Sequence, residues 1–128
     1  MNLNSGIISN PNWYSMHEMS IVMSIVNIAE KEAQKAHVSQ FAAIDMEIGT
    51  LAGIEFDALD FVWQAAVEGT VLENAEKRIR KIPARARCGD CDKVYPLDYI
   101  YDNCPDCGSF LKIIIQGKEL RVKSLETF

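Results

Sequence analysis

No stretch of this 128-residue chain approaches the ~20 consecutive apolar residues that a membrane-crossing helix needs, although 48% of it is hydrophobic, enough for a core. A basic start followed by a long apolar run is also missing from residues 1–15, so no secretory signal directs the chain to an oxidising compartment. There is no phosphate-binding glycine loop and no nucleophile beside a plausible base, and histidine is scarce, with two in all. Those lacks argue against an enzyme. Basic charge is short as well: the formal net charge is −5, which disfavours a general nucleic-acid binder. The charge is uneven, because residues 76–87 carry a net +5 and leave −10 for the rest. Such a basic strand can meet an acidic partner, but a solvated strand face is the simpler reading.

What the chain does have is four cysteines, all within Cys88 to Gly108, CGDCDKVYPLDYIYDNCPDCG. They form two Cys-x-x-Cys pairs, Cys88/Cys91 and Cys104/Cys107, with twelve residues between the pairs. Two intervening residues let a tight turn aim both sulfurs at one ion while its backbone N–H groups hydrogen-bond to the thiolates. Two such turns supply a closed tetrahedral set suited to structural Zn²⁺. A thioredoxin-like dithiol needs one pair beside a βαβ pattern, and disulfides need an oxidising compartment. Iron fits four thiolates equally well; colour and metal analysis separate the two, and zinc is taken as the resting state. Four cysteines used by one metal fit a reducing cytoplasm.

Taken in order, residues 1–15 (MNLNSGIISNPNWYS) show no helical or strand period and read as a flexible leader. From Met16 a helix is expected, with Met19, Val22, Met23, Val26, Ala29 and Ala33 on its core face. Ile21, Ile25 and Ile28 widen the stripe, so this helix is buried on more than one side or meets a partner, a second copy included. It should end near His37, where an imidazole beside free carbonyls has a structural role. Residues 43–48 alternate as a half-buried strand, with Ile44, Met46 and Ile48 inward and Asp45 and Glu47 outward. A second helix over about 55–67 presents Leu59, Val62, Trp63 and Ala66. Residues 76–87 read as a strand entering the first cysteine pair, with Pro83 at an edge or a bend. Leu111 to Ile115 covers the cysteine module, and Lys118 to Leu125 is a last strand with Leu120 and Val122 inward.

The expected fold is therefore α+β: a three-stranded sheet with two helices on one face, plus a zinc-ribbon-like module inserted between neighbouring strands. The division places a leader at 1–15, an α+β domain at 16–84 and 112–128, and a zinc-binding module at 85–111. A segment of some twenty residues buries too little apolar surface alone, and structural zinc supplies ~10–16 kcal/mol of binding free energy in such modules.

His17 lies where the first helix begins and where backbone N–H groups lack intrahelical partners. On losing protons such amides become strong nitrogen donors, and with an imidazole they share a plane around Ni(II) or Cu(II). A solvated side chain is the plainer reading from physics alone.

Met16-His17-Glu18-Met19-Ser20 followed by the helix resembles the start of the HypA/HybF family of nickel metallochaperones for [NiFe] hydrogenase maturation. The match continues through Glu47-Ile48-Gly49, Glu68-Gly69-Thr70 with Leu72-Glu73, and both cysteine pairs. It closes on Gly117-Lys118-Glu119-Leu120 with Ser124-Leu125-Glu126, covering 16–128 in order. The resemblance implies a metal carrier and no enzyme, with structural Zn²⁺ on Cys88, Cys91, Cys104 and Cys107 and transported Ni²⁺ at the chain's helix start. It implies transfer with a nickel-handling GTPase toward the hydrogenase large subunit, and in some members toward urease. His17 would give its imidazole and amide, Glu18 its amide and Met16 a terminal amine. Here fifteen residues precede Met16, so that amine is a peptide nitrogen, and weaker or differently coordinated nickel is expected. The alternatives are a zinc-ribbon adaptor or nucleic-acid-binding module using the strand from Lys77 to Arg87, and a rubredoxin-like electron carrier.

Overall fold

The computed structural model describes residues 18–128. Along them run helix α1 (Glu18–Ala36), strand β1 (Phe41–Gly49), helix α2 (Phe56–Val67) and strands β2 (Glu76–Ile82), β3 (Arg85–Cys88), β4 (Val94–Pro96), β5 (Lys112–Gln116) and β6 (Leu120–Thr127). They build two three-stranded sheets, ordered β2-β1-β6 and β4-β3-β5. The α+β class and both helices stand as expected.

β1 is the central strand of the first sheet, parallel to β2 across the α2 crossover and antiparallel to β6. Ile44, Met46 and Ile48 of β1 join Leu120, Val122 and Leu125 of β6 in one core with Leu59, Trp63 and Ala66 of α2. The same core takes Ile21, Val22, Ile25, Val26, Ala29 and Ala33 of α1, so both helices lie on one sheet face. On α1 the expected stripe is rotated: Met19 and Met23 are exposed, while Ile21 and Ile25 are buried. Two apolar stripes a residue or two apart both satisfy helical spacing, and the better packers beside β1 are the β-branched ones. α1 ends where His37 enters the left-handed region at φ 57°, with Val38 N–H donating to the Ala33 carbonyl. That bond satisfies a carbonyl the helix end would leave free. Glu55 caps α2, its carboxylate accepting from Asp57 N–H at 3.2 Å.

Two expectations are corrected. The strand read over 76–87 breaks at Pro83: β2 stays in the first sheet and β3 begins the second. The strands on either side of the insert are not neighbours, because β2 and β6 pair with opposite edges of β1. Periodicity shows which face a strand buries and carries nothing about its partner. Leu111 to Ile115 does meet the cysteine module, and it does so by strand pairing. Lys112–Gln116 is hydrogen-bonded to β3 as an edge strand, with Ile114 packed against the module's small core.

The two sheets meet where three backbone segments cross. Gly49 N–H donates to the Glu119 carbonyl at 2.7 Å, Leu51 N–H to Gly117 at 2.7 Å and Thr50 N–H to Ile82 at 3.0 Å. A Cβ on Gly49 would overlap the Gly117 carbonyl, and one on Gly117, at φ +114°, would sit 2.5 Å from Ala84 Cα. Only glycine fits at either position.

Candidate metal centre

Strand β3 delivers Cys88 directly into the first turn. Asp90 and Cys91 N–H each donate to Cys88 Sγ at 3.4 Å, and Asp92, at φ 63°, closes the turn by donating to the Cys88 carbonyl. The second turn repeats the device. Gly108 N–H donates to the Cys104 carbonyl at 2.9 Å, and Gly108 takes a φ of 77°. Cys104 N–H in turn donates to Ser109. The backbone N–H groups aimed at sulfur follow from the two-residue spacing, as the sequence implied.

The four sulfurs lie within 4.8 Å of one another. Cys88 and Cys107 are 3.5 Å apart and Cys91 and Cys104 3.6 Å, all as free cysteines. A tetrahedron with Zn–S bonds of ~2.3 Å has sulfur–sulfur edges of about 3.8 Å, so the set is sized for one four-coordinate ion. Cys88 and Cys104 are buried against Ala84, Ala86, Tyr95 and Leu97, whereas Cys91 and Cys107 face water.

Electrostatics within the cluster point to a cation. N–H groups of Cys91 and Asp90 hold the Cys88 thiol down at about 7, and those of Cys107 and Asp106 lower Cys104. The Lys93 N–H also favours a thiolate at Cys91, but partial desolvation beside the other sulfurs and the sulfurs of Cys104, Cys107 and Cys88 themselves push it up to about 12. Cys107 is likewise raised, with the Ser109 N–H outweighed by Cys88 and by burial. Four thiols this close cannot all ionise on their own. A divalent ion removes that conflict, and once held by four thiolates it keeps no position for substrate or water.

Among the described residues this is the one group of three or more potential metal-ligating side chains. Met16 and His17 lie outside the described residues. Glu18 opens α1, and its carboxylate accepts from Glu55 N–H at 3.4 Å, tying the start of α1 to the start of α2. That contact spans thirty-seven positions, and no local pattern in the sequence signals it. The alternation of β1 sets Glu47 on the strand's outward face. There it is only 5% exposed and is held by Arg80 at 3.0 Å and Arg121 Nε at 2.5 Å on the sheet face away from the helices. Burial pushes its carboxyl up, but Arg121, Lys123 and Arg80 outweigh that and leave it below the ordinary range.

A family model described as HypA, "Hydrogenase/urease nickel incorporation, metallochaperone", matches residues 16–127. The hydrogenase maturation factor HypA of Parabacteroides distasonis is 40% identical over 110 residues, covering 86% of this chain and 96% of that one. The factor of the same name from Geobacter metallireducens is 42% identical over 111 residues, covering 87% and 98%. The solution structure of the Ni metallochaperone HypA from Helicobacter pylori superimposes with a TM-score of 0.62 at 28% identity, covering 88% of this chain and 98% of that one.

Proposed function

The chain belongs to the HypA family of hydrogenase and urease nickel-incorporation metallochaperones, and on that premise we propose how its parts divide the work. It is a nickel metallochaperone of hydrogenase maturation and a metal carrier, with no catalytic role. The family match over 16–127 carries this conclusion, because it takes in both the Met16-His17-Glu18 start and the four cysteines in one frame.

Zinc is held by Cys88, Cys91, Cys104 and Cys107 as a brace. The size of the sulfur set and the crowding of its thiols support that assignment. Nickel is held at the start of α1 through the His17 imidazole and the amides of His17 and Glu18, with the Met16 amine joining only in a chain that begins there. A helix start exposes free N–H groups and lets a recipient's ligands approach. The α+β domain at 16–84 and 112–128 carries nickel and the module at 85–111 carries zinc, with β5 bonded to the module's strand. The recipients are a nickel-handling GTPase and the hydrogenase large subunit, met in a reducing cytoplasm. Among the described residues no helix is long and apolar enough to cross a membrane.

Nickel titration of the full chain, of a form starting at Met16 and of His17→Ala tests the assignment. The shortened form should bind more tightly and with a square-planar spectrum, and His17→Ala should lose specific nickel while keeping zinc. Stoichiometric nickel retained by His17→Ala places the site elsewhere.

A further inference from the structure

The second sheet has a covered face and an open one. Ala86, Cys88, Tyr95 and Ile114 turn inward to the sulfur cluster's small core. The strand register puts Arg87 between Val94 and Ile113 on the other face, and Arg85 between Pro96 and Gln116. Ile115 is the extra residue of a bulge opposite Arg85. Ile113 is 65% exposed and Ile115 45%, on an edge strand, and both arginines are exposed. Among the described residues neither Arg85 nor Arg87 forms a salt bridge. The apolar column runs on from Ile115 into a cleft of about 290 Å³ that Lys118, Glu119, Leu120 and Arg121 also line. An edge strand that shows two isoleucines to water is a liability that natural sheets usually block with charge or a cover.

We propose that this face docks a polypeptide segment that presents carboxylates beside aliphatic side chains. Covering Ile113 and Ile115 also covers the neighbouring arginines, one strand spacing of about 4.8 Å away. Two unpaired guanidiniums are costly to desolvate unless the arriving surface brings carboxylates to them. The occupant is therefore acidic where it meets β3 and aliphatic where it meets β5. Nucleic acid fits poorly: two arginines neutralise few phosphates, and isoleucines offer no stacking platform. A second copy of this chain docking by the same face fits less well than a client segment, since the carboxylate at the cleft, Glu119, already accepts from Gly117 N–H. None of these residues is a proposed metal ligand, so docking and nickel carriage stand or fall separately.

The test uses the zinc-loaded full chain and a short fluorescent peptide of alternating Glu with Leu or Val, read by anisotropy. The comparators are the same peptide with Gln for Glu, and a single-stranded oligonucleotide. The acidic peptide should bind best, and Arg85→Glu with Arg87→Glu should weaken it roughly tenfold or more with a loss of salt sensitivity. Ile113→Ser with Ile115→Ser should weaken both peptides, and zinc content should stay at one ion per chain in every variant. Equal binding of the acidic and neutral peptides, unchanged binding by the charge-reversed variant, or tighter binding of the oligonucleotide overturns the proposal. So does a dimer that the isoleucine variants dissolve while the wild type ignores the peptide.

Discussion

The two sheets are alike in strand number and unlike in what holds them. The first encloses twenty buried core residues drawn from two helices, strands β1 and β6 and the segments that connect the elements. The second has six, and two of those are the cysteines Cys88 and Cys104. Each fully buried aliphatic side chain stabilises by about 1.5–3 kcal/mol, so the first core can offset the ordering of its own chain while the second cannot. One region is stable by packing and the other by coordination. The carrier thereby keeps a firmly packed body beside a module whose order depends on a bound ion.

Breaking the coordination should produce the largest effect. Cys88→Ser, or stripping with a strong chelator, should remove the stoichiometric metal and leave β3, β4 and β5 unprotected in hydrogen exchange. The loss corresponds to most of the ~10–16 kcal/mol that structural zinc supplies. The helical far-UV signal and the protection of β1 should persist. Collapse of both regions together would show that they are one cooperative unit, which the crossing at Gly49 and Gly117 makes a fair competitor.

That crossing gives the next effect. Gly49→Ala places a methyl into the Gly117 carbonyl, backbone against backbone, with no flexible side chain to yield. A loss of more than about 3 kcal/mol is expected, read as a lower midpoint in denaturant. Gly69→Ala is the control, because its φ is +76° but no atom lies near the added Cβ. It should cost only about 1 kcal/mol from the left-handed backbone. Equal losses at the two glycines would mean that backbone conformation, and not the crossing, is what matters.

Acid should separate the regions by different chemistry. Glu47 has its folded pKa below the unfolded value, so its ion pairs with Arg80 and Arg121 contribute stability above the unfolded pKa, and that contribution is lost as pH falls through the folded one. Glu47→Gln should cost about 1–2 kcal/mol at neutral pH and flatten the acid limb of the first region's stability. Metal release from the sulfur cluster should keep its own acid midpoint in that variant, followed with a metal-sensitive dye. A shift in both would tie the charged sheet face to the module.

The smallest effect concerns Tyr95. Its hydroxyl is buried and makes no hydrogen bond among the described residues, and burial together with the thiolates of Cys104 and Cys88 raises its pKa. Removing an unpaired buried hydroxyl is neutral or favourable, so Tyr95→Phe should change stability by about 0–1 kcal/mol toward greater stability and leave metal content unaltered. A marked loss would reveal a partner for that hydroxyl in the metal-loaded state.

Much of this was legible in residue order, for local reasons. Cys-x-x-Cys dictates its own turn, and Ile44, Met46 and Ile48 dictate which face of β1 is buried, because both depend on neighbours a few residues away. The α1 stripe was legible only to within a rotation, since Met19 and Met23 satisfy the same spacing as Ile21 and Ile25. Pro83 marked the bend, but a continuous basic run hid that β2 and β3 serve different sheets.

Contacts across long separations were settled by tertiary structure alone. Alternation places Glu47 outward and says nothing of its burial, because its guanidinium partners, Arg80 and Arg121, lie thirty-three and seventy-four positions away. No local pattern around Gly49 or Gly117 signals that their backbones meet. Composition, spacing and family motifs determined the metal chemistry and the elements, because donor type and periodicity are properties of short segments. Which strands are neighbours, which charges are buried and which sheet face stays open depend on how distant segments pack, and a linear pattern does not encode that.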